Sequence, residues 1–470
     1  MIIFENTLLN YEKIIESTKQ GARRQRVWCP GAATRERGAK SIMATTREQN
    51  EILVQTGPGT PMGDLFRRYW LPVLLADELA EPDGEPVKTK ILGESLLAFR
   101  DSEGKIGLID EFCAHRGVSL WYGRNEECGL RCPYHGWKFD VTGQCVDLPS
   151  AGPDSEMAKR IKLKSYATVE KGGVIWVYMG PPELKPPEPN YEWTLVRPDQ
   201  RFVSKRFQES NYLQSIEGSY DSAHVTFLHK ADVHTDPVYK GSKGNHYTIN
   251  DTQPTFEVIE TAGGMVVGAR RKTEGEDFYW RITPWVAPSF CAVAPRARHP
   301  LQVHHWVPID DEHCWVLNVS YHPTRTLTAE EVAAMQSTAG VHLQNIPGTF
   351  IPIANKSNNY MIDRKAQKDG RSFSGILGIS LQDMAMQESS GPILDRTREN
   401  LVATDKAIIF LRQALIKAAQ ANRAGLPIPG LDPASQRIRA CSLELPKDVR
   451  FLDGARDGIY AAPGSEPVSL

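Results

Sequence analysis

Neither sign of charge dominates this chain: 55 lysines and arginines stand against 57 aspartates and glutamates, a net of −2. That balance builds no basic face, so nucleic acid is not read as a partner. Long apolar runs are missing too, and no stretch reaches the length that crosses a membrane. Cysteine is sparse, eight in 470 residues, and scattered without the spacing of a disulfide framework. Arg23-Arg24 is followed by neither an apolar segment nor a small-residue cleavage site, so it is not read as an export signal. Glycine clusters occur, but none sits between a strand and a helix as a dinucleotide or flavin fingerprint would. These absences point to a cytoplasmic protein with reduced thiols and a bound nicotinamide or flavin only on some other chain.

What is present is a pair of mixed ligand motifs. The chain reads Cys113-Ala114-His115-Arg116-Gly117 and later Cys132-Pro133-Tyr134-His135-Gly136-Trp137. A Rieske [2Fe–2S] cluster needs two thiolates on one iron and two imidazoles on the other, and Cys113, His115, Cys132 and His135 supply both. Neutral ligands in place of two thiolates raise the reduction potential, which suits an electron relay. Zinc competes for two Cys and two His. A Cys₂His₂ finger, however, runs Cys, Cys, then His, His, with the histidines on a helix. Here each pair is mixed and each lies between strand-like segments. The other cysteines, Cys29, Cys128, Cys145, Cys291, Cys314 and Cys441, read as reduced thiols.

A length of 470 residues implies two or three domains. Residues 1–42 read as an N-terminal extension or over-long start before Met43-Ala44-Thr45-Thr46. Residues 43–65 read as a helical segment packing on the catalytic domain, opening with a threonine cap and ending at Gly57-Pro58-Gly59. From Trp70 the apolar period becomes two. Leu96–Phe99 and Ile106–Ile109 flank Asp101–Gly104, and Lys138–Asp140 and Cys145–Asp147 flank Val141–Gly143; both read as hairpins. Val174–Tyr178 closes this β-rich unit, placed at 66–185, and the proline-rich stretch Pro181–Pro189 links it to a second domain at 186–445. Phe278–Ile282 and His304–Val307 read as strands of that domain, and Thr404–Ala424 as its last helix, stopped by Gly425. Residues 446–470 read as a C-terminal tail. Adjacent residues on a strand face opposite ways, so His304 and His305 cannot both bind one metal and are read as structural, with at most one lining a pocket.

The second motif runs Glu217-Gly218-Ser219-Tyr220-Asp221-Ser222-Ala223-His224-Val225-Thr226-Phe227-Leu228-His229. Two nearby histidines with a carboxylate from elsewhere suit a 2-His-1-carboxylate triad, which leaves open positions on Fe(II). On an ideal helix Glu217, Asp221 and His224 share a face, whereas His229 lies about 140° from His224. Both histidines reach one metal only if the helix ends or bulges between them. The competing reading is an amphipathic helix with incidental histidines.

The two motifs together resemble the α subunits of Rieske non-haem iron aromatic ring-hydroxylating oxygenases. The resemblance covers most of residues 46–445. Thr56–Met62, Arg67–Val73 and Met386–Pro392 are similar to the phthalate dioxygenase-like branch, whose α subunits work without a β subunit. It implies an α+β fold: a small antiparallel β Rieske domain plus a helix-grip catalytic domain, an antiparallel sheet flanked by helices. It implies that His224 and His229 bind a mononuclear Fe(II), and that Asp221 bridges to a cluster histidine of a neighbouring subunit, with Glu217 in the same catalytic motif. The third iron ligand is read as Asp383, which follows a glycine-rich segment in an apparent helix; Glu388 and Asp395 are the alternatives, and a helix cap or surface acid the bland one.

The resemblance further implies a terminal oxygenase that puts oxygen from O2 into an aromatic substrate. Electrons would come from an NAD(P)H-dependent reductase carrying FMN and a plant-type [2Fe–2S] centre, and the assembly would be a homotrimer or hexamer. The branch suggests an aromatic carboxylate as substrate. Such a group needs a cation in its pocket, and arginine's planar fork suits it best. Arg271 and Arg281 are the candidates, either of which could instead be a solvent-facing strand residue. The alternative activities are O- or N-demethylation by a Rieske monooxygenase, and electron carriage without catalysis.

Overall fold

The computed structural model describes residues 45–151 and 156–470. The extension expected over 1–42, Cys29 and Met43-Ala44 lie outside the described residues. The first element, α1 (Arg47–Val54), begins where the capping signal places it. Thr46 Oγ1 accepts from the Gln49 N–H at 3.1 Å, and the Gln49 side chain accepts from the Thr46 N–H at 2.9 Å. Such a cap stabilises a helix start by about 1 kcal/mol. α2 (Pro61–Phe66) follows, with proline at its first position and Thr60 as cap. Leu53, Val54, Met62, Leu65 and Phe66 are buried in one cluster with Leu411, Leu415 and Ala418 of a long later helix.

Three small antiparallel sheets come next. β1 (Trp70–Leu75) pairs with β10 (Val174–Tyr178), which pairs with β9 (Ala167–Lys171). β2 (Val87–Ile91), β3 (Glu94–Arg100) and β4 (Ile106–Asp110) form the second sheet. β5 (Arg124–Glu126), β6 (Gly129–Arg131), β7 (Lys138–Phe139) and β8 (Cys145–Asp147) form the third. The β3–β4 turn is set by Asp101, whose carboxylate accepts from the N–H groups of Glu103 and Lys105. Inward-facing Leu97, Phe99, Ile109, Leu130 and Phe139 make a core that also takes in Cys113 and Cys132.

The larger unit is one eight-stranded antiparallel sheet. Its order is β11 (Arg201–Gln208), β17 (Cys314–Tyr321), β16 (Leu301–Pro308), β15 (Phe290–Val293), β14 (Phe278–Val286), β13 (Gly264–Lys272), β12 (Thr255–Glu260). β18 (Cys441–Leu445) pairs with the first half of β14. The longest helices among the described residues are α3 (Tyr212–Tyr220), α4 (Ile379–Ser389) and α5 (Lys406–Arg423). Polar side chains tie α3 and β11 to α4. Gln214 donates to the carbonyls of Gln387 and Gly391, and Gln208 donates to Gln387 Oε1 at 2.7 Å.

The stretch after 445, expected as a tail, is packed instead. Phe451, Ala455 and Ile459 stand four residues apart, one apolar stripe over two short helical turns. They are buried with Trp280 and Ile282 of β14, so the sheet gains a cover that no run length in the sequence announces. Among the described residues no helix is long and apolar enough to cross a membrane.

Candidate active site

The two cysteine–histidine loops are built alike. The Cys113 N–H donates to Val118 O and its carbonyl accepts from Gly117; the Cys132 N–H donates to Trp137 O and its carbonyl accepts from Gly136. Each turn closes on a glycine with positive φ, +70° at Gly117 and +74° at Gly136, a conformation that a side chain would strain. The loops bring His115 Nδ1 to 3.1 Å from His135 Nδ1, and His115 stacks on Trp137. Two imidazole nitrogens each about 2.1 Å from one metal, at roughly a right angle, would stand about 3 Å apart. The two cysteines are buried, and burial pushes the Cys113 thiol up to about 11, with Cys132 beside it adding to the rise. A pair of thiolates there needs positive charge, which fits a cluster iron.

The second ligand set lies where α3 stops. Asp221 ends the helix with an extended backbone, and His224–Thr226 form a separate 3₁₀ turn. That break lets both histidines converge: His224 Nε2 stands 3.1 Å from His229 Nε2. Asp383, in the second turn of α4, puts Oδ1 at 3.0 Å from His229 Nε2 and 3.4 Å from His224 Nε2. The three ligand atoms lie within 4.8 Å of one another, and among the described residues they are the one such cluster. The geometry fits a single metal ion with a facial set of ligands. Burial opposes charge on His224, but Asp221 and Asp383 outweigh it and push its pKa up to about 10. Burial likewise opposes charge on Asp383, and His229 and His224 hold its carboxyl well below the usual range. Acceptors crowded this closely require a cation, either protons or a metal.

Comparison with known proteins gives the same reading. Residues 69–167 match the Rieske [2Fe-2S] domain, and residues 177–448 match the family described as LigXa C-terminal domain like. The chain is 40% identical over 407 residues to the 3-chlorobenzoate-3,4-dioxygenase oxygenase subunit of Comamonas testosteroni, spanning 84% of this chain and 93% of that one. It is 36% identical over 422 residues to the phthalate 4,5-dioxygenase oxygenase subunit of Pseudomonas putida, spanning 87% and 94%. This chain belongs to the Rieske aromatic ring-hydroxylating oxygenases. It is an α subunit of the phthalate dioxygenase-like branch, with a Rieske [2Fe–2S] cluster and a mononuclear non-haem iron as its cofactors. As a terminal oxygenase component it takes electrons from a separate electron-transfer partner. The crystal structure of dicamba monooxygenase bound to dicamba aligns with a TM-score of 0.53 at 19% identity, over 76% of this chain and 98% of that one, a likeness of fold.

A cavity opens beside His224 and His229. Asp221, His224, His229, Asp383, Arg281, Arg296 and His304 all line it. Arg281 is 7% exposed and Arg296 4% exposed, and the Nε of each has no hydrogen-bond partner among the described residues. Arg281 donates to Ser222 Oγ at 3.2 Å, and Arg296 lies over the Tyr239 ring. Burial and the neighbouring Arg296 push Arg281 down to about 9. His304 faces the cavity while His305 sits on the other side of β16 against Tyr191 and Phe290, the alternation a strand imposes. Burial, reinforced by Arg206, holds His304 down to about 4, so it is a neutral imidazole that shares a 2.8 Å hydrogen bond with Asn318.

Several sequence candidates lie elsewhere. Arg271 does not line the cavity; its guanidinium donates to Ser222 Oγ, Ser222 O and Asp251 O. The reason is register: Arg271 pairs with Tyr279 and Arg281 with Ala269, which puts the two arginines in different places along β13 and β14. Glu217 does not line the cavity and is clasped by Arg396 at 2.9 and 3.0 Å and by Arg412 at 2.7 Å. Among the rivals to Asp383, Glu388 accepts from the Tyr360 hydroxyl and the Glu209 N–H, and Asp395 caps the turn at Thr397. Sequence reading missed Arg296 and Gln382. Arg296 lies in an irregular stretch after β15 with no periodicity to flag it, whereas Gln382 stands next to Asp383 and adjacency was the available signal.

Proposed function

We propose that this oxygenase acts on an aromatic carboxylate whose acid group is held by Arg281, with Arg296 as a second cation in the same cavity. The observation that carries the reading is two buried guanidinium groups with free Nε–H donors beside the His224, His229 and Asp383 cluster. A buried guanidinium with an unsatisfied N–H is costly, and an anionic substrate relieves that cost where a neutral arene does not. The names of the two relatives, 3-chlorobenzoate and phthalate oxygenases, support the same substrate class.

In this reading Cys113, His115, Cys132 and His135 hold the cluster within residues 66–185. His224, His229 and Asp383 hold the mononuclear iron within 186–445. Bound there, the iron supplies the O2-activating chemistry that puts oxygen into the aromatic ring. Asp221 faces His224 Nδ1 at 3.6 Å and is 29% exposed, so it can orient that ring and still meet a group from outside the chain. We assign it the bridge to a cluster histidine of a neighbouring subunit in a homotrimer or hexamer without a β subunit. Exposed Tyr134 beside the cluster loops and exposed Phe227 and Phe373 beside the iron histidines support such docking. The electron donor is assigned as an NAD(P)H-dependent reductase with FMN and a plant-type [2Fe–2S] centre, and the location as the cytoplasm.

The test is turnover of a panel of benzoates, phthalates, neutral arenes and methoxy-arenes with a surrogate reductase, products read by mass. Aromatic acids are expected to win. Arg281→Gln should raise KM for acids far more than it lowers kcat, costing about 2–5 kcal/mol in kcat/KM, and should leave neutral substrates unaffected. A wild-type preference for neutral methoxy-arenes, released as phenols, would replace this reading with demethylation.

A further inference from the structure

Gln382 stands one residue before Asp383 on α4, and its side-chain amide is surrounded on both ends. The amide nitrogen donates to Asp232 Oδ2 at 2.8 Å and to the Ile376 carbonyl at 2.7 Å. Neither partner can donate back: one is a carboxylate, the other a backbone carbonyl. The amide therefore has only one sensible orientation, and its oxygen must face the remaining neighbour. That neighbour is His229 Nδ1 at 2.7 Å. An amide oxygen only accepts, so His229 carries its proton on Nδ1. The lone pair is then on Nε2, the atom that faces Asp383 and His224. Asp232 itself is anchored, because its other oxygen accepts from the N–H of Gly378, the residue that caps α4. Asp232 and Gln382 are both buried, so water does not compete for these bonds.

We propose that Gln382, held by Asp232, is a positioning residue that locks His229 in the tautomer and ring orientation required to bind the mononuclear metal. The inference rests on the reading that His224, His229 and Asp383 form the metal site. The two histidines are thereby held differently. His224 has the Asp221 carboxylate at its Nδ1, open to the cavity, while His229 has a neutral amide with a carboxylate one bond further back. The chain sets its accessible carboxylate beside the half-buried His224 and fixes the fully buried His229 by a relay that carries no charge to the ring.

The experiment is titration of Co(II) into protein stripped of its mononuclear metal, with a competing chelator, the Rieske absorption serving as a check that the fold is retained. His229→Ala should abolish mononuclear Co(II) binding; if it binds as wild type does, the site reading itself fails. Gln382→Met keeps the volume but removes the acceptor, and its Co(II) affinity should fall about 10–100-fold with the Rieske spectrum intact. The double variant Gln382→Glu/Asp232→Asn keeps an acceptor at His229 and moves the donor to residue 232, so it should recover most of that loss, and Asp232→Asn alone should fall between Gln382→Met and wild type. Wild-type affinity in Gln382→Met, with His229→Ala inactive in binding, overturns the inference alone. If Gln382→Met does not fold, the double variant Gln382→Glu/Asp232→Asn decides: near-native affinity supports the lock, and a loss as deep as that of His229→Ala overturns it.

Discussion

Glu388 shows how surroundings separate two carboxylates on one helix: histidines hold Asp383 down, while burial raises Glu388. It lies five residues after Asp383 on α4 and is 1% exposed. Burial pushes its pKa up to about 7, against the pull of the Tyr360 hydroxyl and the Glu209 N–H that donate to it. The folded protein thus keeps a proton that the unfolded chain releases near pH 4.5. Stability from this group is complete below that pH and is lost as pH rises toward 7, in all about 3 kcal/mol. Urea melts at pH 5 and pH 8 should therefore show the wild type weaker at pH 8, and Glu388→Gln should lose that part of the difference. An unchanged difference in the variant would mean that the glutamate is ionised throughout. At this scale the cysteine and histidine candidates were legible, because Cys and His announce their chemistry by type and spacing. Arg296 and Gln382 were not, because an arginine or a glutamine becomes informative only when its neighbours are known.

At the scale of elements, the decisive feature is the end of α3. A continuous helix would have held His229 away from His224, and the sequence could pose that conflict without resolving it. The structure resolves it by stopping the helix at Tyr220, with the Asp221 N–H donating to Glu217 O. Glu217 then acts as the anchor of that last turn, joining α3 to Arg396 and to Arg412 of α5, which also grips Glu399. Glu217→Gln leaves two buried guanidinium groups without their shared counter-charge. The expected cost is about 3–5 kcal/mol in chemical denaturation, with the Rieske spectrum retained in the folded fraction. A loss below about 1 kcal/mol would show that water reaches the pair. The packed helices after residue 445 belong to the same scale: four-residue spacing of Phe451, Ala455 and Ile459 was visible, but what they would pack against was not.

At the scale of the molecule, the reading that Asp221 bridges subunits makes a joint prediction. Asp221→Asn keeps the shape but removes the charge, and should retain cluster, mononuclear metal and assembly while turnover falls by orders of magnitude. Sedimentation should find a trimer or a multiple of it, since head-to-tail contacts close a ring. A fully active monomer, or full activity in Asp221→Asn, would end the bridging role.

The sequence by itself determined the α+β class and the family, and it picked out the two Cys–His loops and the histidine pair that the structure brings together, because each depends on residue types at short separations. Local spacing also specified the capping box at Thr46 and the hairpin at Asp101–Gly104. Only the tertiary structure decided which distant carboxylate joins His224 and His229: α4 turns Asp383 toward them and Glu388 toward Tyr360, while Asp395 lies beyond α4 and caps the next turn. It likewise decided which arginine enters the cavity, because sheet register sets that, and register depends on how whole strands pair across the chain.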